Sequence, residues 1–132
     1  FWTKNEYGNF QMDFEVQIPK GANSGVFLRG KDSTVNKPNN NILELELIDS
    51  PAAGALIPVQ NPKQPINLAD GKWHRFSIVA KDKSFTVSHN GTELYTVDIS
   101  KTPLKNIPPK GRIGFQGFVG AVKYRNIAIK EL

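Results

Sequence analysis

Apolar and polar residues alternate along most of the chain, and this period of two is its strongest structural signal. In residues 10–18 every even position is apolar, while the odd positions carry Gln, Asp or Glu. Such alternation is typical of a β-strand with one buried face. The pattern, with Asn90-Gly91 as a type I′ turn signal, predicts eight strands: residues 10–18, 26–29, 43–47, 74–81, 85–89, 92–97, 112–116 and 121–132.

The sequence predicts an all-β fold, because glycine and proline fall between the alternating segments and no stretch has a helical period. The 132 residues suffice for one core, so we expect residues 1–132 to form a single β-sandwich domain of two antiparallel sheets. Residues 19–25 are predicted to be a turn that joins the first two strands into a hairpin, and residues 31–41 a polar loop. The residues expected to be buried between the sheets are Phe14, Val16, Leu45, Leu47, Phe76, Ile78, Val87, Ile113 and Phe115.

Charge and composition exclude several classes of function. The net charge is +5, but the basic residues are scattered from Lys4 to Lys130 without an aromatic platform among them, so we predict no nucleic-acid partner. No apolar run approaches the roughly 18 residues of a membrane helix, so no membrane partner is predicted either. The absence of cysteine excludes a thiolate metal site but leaves the compartment open. We expect a secreted or periplasmic location.

Glu44 and Glu46 are the first candidates for chemistry. They lie two residues apart on a predicted strand, so their side chains project from the same face, with Cα atoms about 6.6–6.8 Å apart. Glycosidases use two carboxyl groups separated by about 5–9.5 Å, and this spacing is close to that range. The alternative is that both glutamates belong to the solvated face of a half-buried strand, and the spacing alone does not decide between the two.

The two histidines and Trp73 favour structural interpretations. Neither histidine has Asp, Glu or His at a metal-ligand spacing, so we predict no metal site and no cofactor. His74 stands at a strand start and is expected to be structural, whereas His89 precedes the Asn90-Gly91 turn and is expected to be exposed. Trp73 is interpreted as a core or sheet-end residue rather than a sugar platform.

Short segments spread over nearly the whole chain carry a family resemblance. They are YGNF at residues 7–10, GANSGVFLR at 21–29, LELELID at 43–49, GALI at 54–57, GKWH at 71–74, GRIGFQ at 111–116, YRNI at 124–127 and EL at 131–132. In this order they resemble the 3-keto-disaccharide hydrolase domain family. The segment at 44–49 is also similar to the strand of laminarinase-like glycosidases that carries three carboxylates.

The resemblance implies a jelly-roll sandwich of the concanavalin A-like lectin/glucanase type and a hydrolase or lyase activity on 3-keto-glycosides. A ketone at C3 makes the C2 proton acidic, so cleavage by elimination and hydration needs a base and an oxyanion stabiliser. By position, Glu44 would be the catalytic carboxylate, with Arg29, Glu46 and Gln116 binding substrate and Asp49 supporting them from the strand end. Alternation predicts that Glu44, Glu46, Arg29 and Gln116 share one solvent-facing surface.

Three positions depart from the family pattern. Leu43 and Ile57 stand where the family has tyrosine, and Phe118 stands where it usually has histidine. If that histidine carries a proton, this chain lacks it. A non-catalytic carbohydrate-binding or assembly module of a larger extracellular protein therefore remains the alternative to an enzyme.

The expected partner is an oligosaccharide or a keto-glycoside. The resemblance also implies family strands that would precede Phe1. Without them a sheet edge would be unpaired, so self-association, or a neighbouring domain that completes the edge, is predicted as well.

Overall fold

The computed structural model describes residues 1–31, 42–117 and 120–132. These residues form nine strands: β1 (Phe10–Gln17), β2 (Asn23–Gly30), β3 (Leu43–Ile48), β4 (Leu56–Ile57), β5 (His74–Lys81), β6 (Ser84–His89), β7 (Thr92–Asp98), β8 (Arg112–Phe115) and β9 (Lys123–Glu131). They build two antiparallel sheets, one of five strands in the order β7-β6-β5-β1-β9 and one of four in the order β4-β3-β2-β8. The predicted all-β, two-sheet sandwich is confirmed.

The core lies between the two sheets and consists of the apolar positions of the alternating segments. Every second residue of β1, β3 and β5 is buried, and Phe14 stacks on Phe76 with ring centroids 5.7 Å apart. Of the nine residues predicted for the core, eight are buried, and Phe115 is partly buried and packs against them. Their burial supplies the main favourable term for folding.

The hairpin predicted between the first two strands is wrong. β1 pairs with β5 and β9, whereas β2 begins three residues earlier than predicted, at Asn23, and pairs with β3 and β8. Both strands have an apolar face, and these faces meet across the core instead of lying side by side in one sheet. The Asn90-Gly91 hairpin is confirmed: β6 pairs with β7, and both turn residues have positive φ.

Residues 1–3, which we call the N-terminal strap, pair with the outer edge of β8. The amide of Thr3 donates to the carbonyl of Ile113 (2.8 Å), and the amide of Phe115 donates to the carbonyl of Phe1 (2.9 Å). The strap therefore covers one edge of the four-stranded sheet, while β4, β7 and β9 are the outermost strands elsewhere. Self-association stays a prediction. In the described part of the chain, no helix is long and apolar enough to span a membrane.

The predicted polar loop lies outside the described residues except for Lys31, and so does Phe118. Strand β4, which the sequence pattern did not predict, has only two residues and pairs with β3. It is too short for alternation to show.

Candidate functional site

The outer surface of the four-stranded sheet carries both glutamates, and we call it the glutamate face. In β3, Leu43, Leu45 and Leu47 point into the core, so Glu44 and Glu46 project from the opposite side. In register across the neighbouring strand β2, Glu44 is paired with Phe27 and Glu46 with Gly25. Strand alternation thus fixes the position of both carboxyl groups.

Gly25 forms the floor beneath the carboxyl group of Glu44. A Cβ atom at this position would collide with Oε2 of Glu44 and lie 3.1 Å from its Cδ. Gly25 is not among the glycines with positive φ, so its backbone conformation does not require glycine. The missing side chain instead gives the Glu44 carboxyl group its place on the sheet.

Gln116 borders the same floor from the other side. Its amide donates to the carbonyl of Gly25 (2.9 Å), which continues the β2–β8 pairing by one residue. Because Phe115 packs against the core, alternation places the Gln116 side chain on the glutamate face. The structure therefore brings Glu44, Glu46 and Gln116 together around Gly25.

Four side-chain oxygens at this end of the four-stranded sheet are buried without a hydrogen-bond partner among the described residues. They are Oδ1 of Asn23, Oε2 of Glu44, Oε1 of Glu46 and Oε1 of Gln116. Buried polar atoms are normally hydrogen-bonded, since leaving one unpaired costs about 1–3 kcal/mol. All four atoms accept hydrogen bonds, so the group suits a ligand that brings hydroxyl donors.

Burial and proximity raise the pKa values of both glutamates. Burial raises the pKa of Glu44 to about 7, with a further contribution from the charge of Glu46. Burial also raises the pKa of Glu46. A carboxyl group that titrates near neutral pH can accept a proton from a substrate and release it again, which is the property of a general base.

The raised pKa of Glu44 predicts a pH-dependent effect of Glu44→Gln on stability. A folded-state pKa above the ordinary value means that Glu44 favours the folded state below about pH 4.5 and that this benefit is lost as the pH rises through about 7. Glutamine resembles the protonated form, so the variant should be more stable than the wild type by about 1–3 kcal/mol at pH 8 and nearly equal at pH 4. Urea unfolding at both pH values measures this difference.

Glu15→Gln is the control for that measurement. Hydrogen bonds from Asn126 and Arg125 lower the pKa of Glu15, so its charged form favours the folded state. This variant should lose stability at pH 8, opposite in sign to Glu44→Gln. An equal stability difference for Glu44→Gln at pH 4 and pH 8 would contradict the raised pKa.

Gly25→Ala should displace the Glu44 carboxyl group while leaving the fold nearly intact. The new methyl group meets the end of a flexible side chain, so the carboxyl group can move aside at little cost in stability. For a carboxyl group that acts as a catalytic base, a displacement of about 1 Å can lower turnover by roughly 100-fold. The matched control for a turnover assay is Gly117→Ala, because a Cβ there would meet nothing within 4 Å; an equal loss in both variants would contradict this account.

The placement predicted for Arg29 is wrong. Arg29 is 1% exposed, and its guanidinium donates to the carbonyls of Gly8 (3.0 Å), Asp82 (2.9 Å) and Pro108 (3.4 Å). The β2–β8 register shifts between Phe27 and Gly30, and Arg29 has φ of 61°. This bulge breaks the alternation and turns the side chain away from the glutamate face.

Asp49 stabilises the turn that connects the two sheets. It follows β3, and its Oδ2 accepts a hydrogen bond from the amide of Gly21 (2.8 Å), while its own amide donates to the carbonyl of Ala22 (3.1 Å). These contacts hold the turn between β1 and β2. A role of Asp49 in substrate binding stays a prediction.

The histidines form a separate hydrogen-bonded chain. Nε2 of His74 lies 2.8 Å from Oδ1 of Asp70, and Nδ1 of His74 lies 2.9 Å from Nε2 of His89. His74 is buried, as a structural histidine should be, but His89 is half-buried rather than exposed, and burial lowers its pKa. Across the described ranges, no group of three or more His, Asp or Glu side chains could hold a metal ion.

Three further residues beside the site had no clear sequence signal. Asn23 was assigned to a turn, and Trp2 precedes the first predicted strand. Tyr124 belongs to β9 of the other sheet, and its hydroxyl lies 2.7 Å from Oγ of Ser24. Burial raises the pKa of Tyr124 to about 12, and the charge of Glu44 contributes, so this hydroxyl stays protonated close to the site. The positions of Trp2 and Tyr124 depend on contacts between segments distant in sequence.

The site is therefore one face of a β-sandwich on which carboxyl and amide groups with unpaired acceptors, among the described residues, come together. The family model described as the 3-keto-alpha-glucoside-1,2-lyase-like domain matches residues 1–130. The chain therefore belongs to this family, the 3-keto-disaccharide hydrolase family that its sequence segments resemble. No curated protein matches the chain.

Solved structures also share this fold. A glycosyl hydrolase candidate from Parabacteroides distasonis is 27% identical with a TM-score of 0.83, over 99% of this chain and 82% of that one. The carbohydrate-binding module CBM66 from Bacillus subtilis is 12% identical with a TM-score of 0.72, over 97% and 78% of the two chains. A Bacillus subtilis protein with a galectin-like fold is 14% identical with a TM-score of 0.70, over 99% and 76%. The last two likenesses concern the fold alone.

Proposed function

We propose that this domain cleaves glycosides whose sugar carries a ketone at C3, with Glu44 as the base. The observation that carries the proposal is the Glu44 carboxyl group on the Gly25 floor, partly buried next to Glu46. Membership of the 3-keto-alpha-glucoside-1,2-lyase-like family supports the same reaction class.

The chemistry follows from the acidity of the C2 proton next to the ketone. The Glu44 carboxylate takes this proton, and the electron pair of the broken C2–H bond passes into the enolate of the C3 ketone. The enolate then expels the oxygen substituent at C1, which takes a proton from solvent, and a double bond forms between C1 and C2. Addition of water to this double bond completes the hydrolysis. A general base works best when its pKa lies near the working pH, and burial raises the pKa of Glu44 to about 7.

The neighbours of Glu44 provide groups for binding. The Gln116 side chain carries two N–H donors for a sugar hydroxyl or the developing enolate. The buried oxygens of Glu46 and Gln116 lack partners among the described residues, and sugar hydroxyls supply suitable donors. We propose these residues as the substrate-binding set, without Arg29.

A non-catalytic carbohydrate-binding role is the second candidate. It is favoured by Phe118, which stands where the family usually has histidine, because a phenyl ring, unlike an imidazole, has no group that takes up or releases a proton. Acceptor oxygens that bind hydroxyls would serve such a module equally well. For either role we propose a secreted or periplasmic location, which cell fractionation would test.

The deciding experiment is to incubate the wild-type protein with a 3-keto-disaccharide and with the same disaccharide unoxidised. Cleavage of the keto compound alone, followed by chromatography, is the expected result. Calorimetric binding of either sugar without cleavage would establish the binding module instead. Absence of both would contradict any carbohydrate function.

A further inference from the structure

Trp2 lies on the glutamate face, although it belongs to the N-terminal strap. Its indole stacks parallel to the ring of Phe27, with centroids 5.6 Å apart and an angle of 8° between the planes. Phe27 is directly opposite Glu44 in the register of β2 and β3. The indole is therefore adjacent to the residue that flanks Glu44.

Two glycines make room for the indole. A Cβ atom at Gly114 would lie 2.6 Å from the Trp2 ring system, and one at Gly30 would lie 2.5 Å from it. Neither glycine has positive φ, so the backbone does not require glycine at either position. A side chain at either position would collide with the indole, so glycine leaves the space that the indole fills.

The strap holds this indole in place. Besides its two backbone hydrogen bonds to β8, the strap accepts a hydrogen bond from the amide of Ile113 at Oγ1 of Thr3 (3.0 Å). Trp2 nevertheless remains partly exposed. An aromatic side chain held rigidly and left partly open to solvent offers a large apolar contact area at little cost in conformational entropy.

We propose that Trp2 forms a ring-binding subsite beside Glu44, which contacts the flat apolar face of the ring attached at C1 of the keto sugar. This inference rests on the proposed function, because it assigns the leaving group of the same reaction. The ligand chemistry is a ring with an apolar face, either the second pyranose of a disaccharide or an aromatic aglycone. A methyl aglycone has no such face and cannot use the subsite.

Kinetics with three 3-keto-glucosides test the subsite: a disaccharide, a phenyl glycoside and a methyl glycoside. Trp2→Ala should lower kcat/KM roughly tenfold for a substrate with a ring on its leaving group and leave the methyl glycoside nearly unchanged. Trp2→Phe should retain most of the activity. A loss confined to the disaccharide identifies a sugar ring as the ligand, and a loss confined to the phenyl glycoside identifies an aromatic aglycone.

Fluorescence gives a second measurement that does not depend on the stability of Trp2→Ala. The chain has two tryptophans, and Trp73 lies elsewhere, under the guanidinium of Arg125 (4.0 Å). In Trp73→Phe the emission comes from Trp2 alone and should change as the disaccharide binds, whereas Trp2→Phe, which retains Trp73, should show no change. Glu44→Gln in the background of both variants keeps the ligand from being consumed.

The outcomes separate this inference from the proposed function. If the wild type cleaves the keto sugars but Trp2→Ala keeps the same preference among the three substrates and the Trp2 emission does not respond, the subsite is wrong and the proposed function stands. If the wild type neither binds nor cleaves any of the three, the proposed function fails, and the subsite fails with it.

Discussion

Glu44→Gln should lower kcat/KM for a 3-keto-disaccharide by about 10²–10⁴-fold, the usual contribution of a general base. The substitution preserves the size of the side chain and replaces the carboxylate, which would take the C2 proton, with an amide that cannot act as a base. Binding of the disaccharide, measured by calorimetry, should largely persist. In the wild type, kcat/KM should rise as the pH increases through about 7, because burial raises the pKa of Glu44 to that value.

Glu46→Gln is the matched control for this experiment. Glu46 lies on the same face, and burial raises its pKa as well. Its backbone pairs with Gly25 of β2, but the carboxyl group that lies over Gly25 is that of Glu44. We expect a smaller loss, mainly in KM. A larger loss of kcat in Glu46→Gln than in Glu44→Gln would assign the base to Glu46 and contradict our assignment.

Strand alternation was sufficient to predict the glutamate face. The leucines of β3 and the even-numbered residues of β1 point into the core, as predicted. Glu44 and Glu46 alternate with the leucines of β3 and therefore share the outer surface of the sheet. Alternation depends only on an uninterrupted extended backbone. Where the backbone is regular, the sequence alone therefore places the side chains.

Features that depend on sheet pairing or on a bulge could not be predicted in this way. The bulge at Arg29 reverses the direction of one side chain, and no residue type in its segment signals it. Gly25 was assigned to a turn, although it is the floor of the site, and the contact of Trp2 with Phe27 requires the strap to pair with β8. Such contacts join residues distant in sequence, where periodicity carries no information.

Arg29→Ala should destabilise the fold by about 3–5 kcal/mol, because three carbonyl groups lose their hydrogen-bond donor. The guanidinium also lies over the ring of Phe85, 5.1 Å from its centroid, and this contact would be lost too. We expect a decrease in Tm of about 10–20 °C. At a low temperature, where Arg29→Ala is folded, its KM should stay within about threefold of the wild-type value, since the guanidinium does not reach the glutamate face.

Arg29→Gly separates the side chain from the backbone. It removes the same guanidinium as Arg29→Ala, but glycine adopts φ of 61° without the steric cost that alanine has, so it should be more stable than Arg29→Ala by about 1 kcal/mol. Urea unfolding of the two variants measures this difference. Wild-type stability in Arg29→Ala together with a strongly raised KM would mean that the guanidinium faces the substrate. The order predicted here, with both variants destabilised and alanine the worse, requires it to hold the carbonyls of Gly8, Asp82 and Pro108 inside the fold.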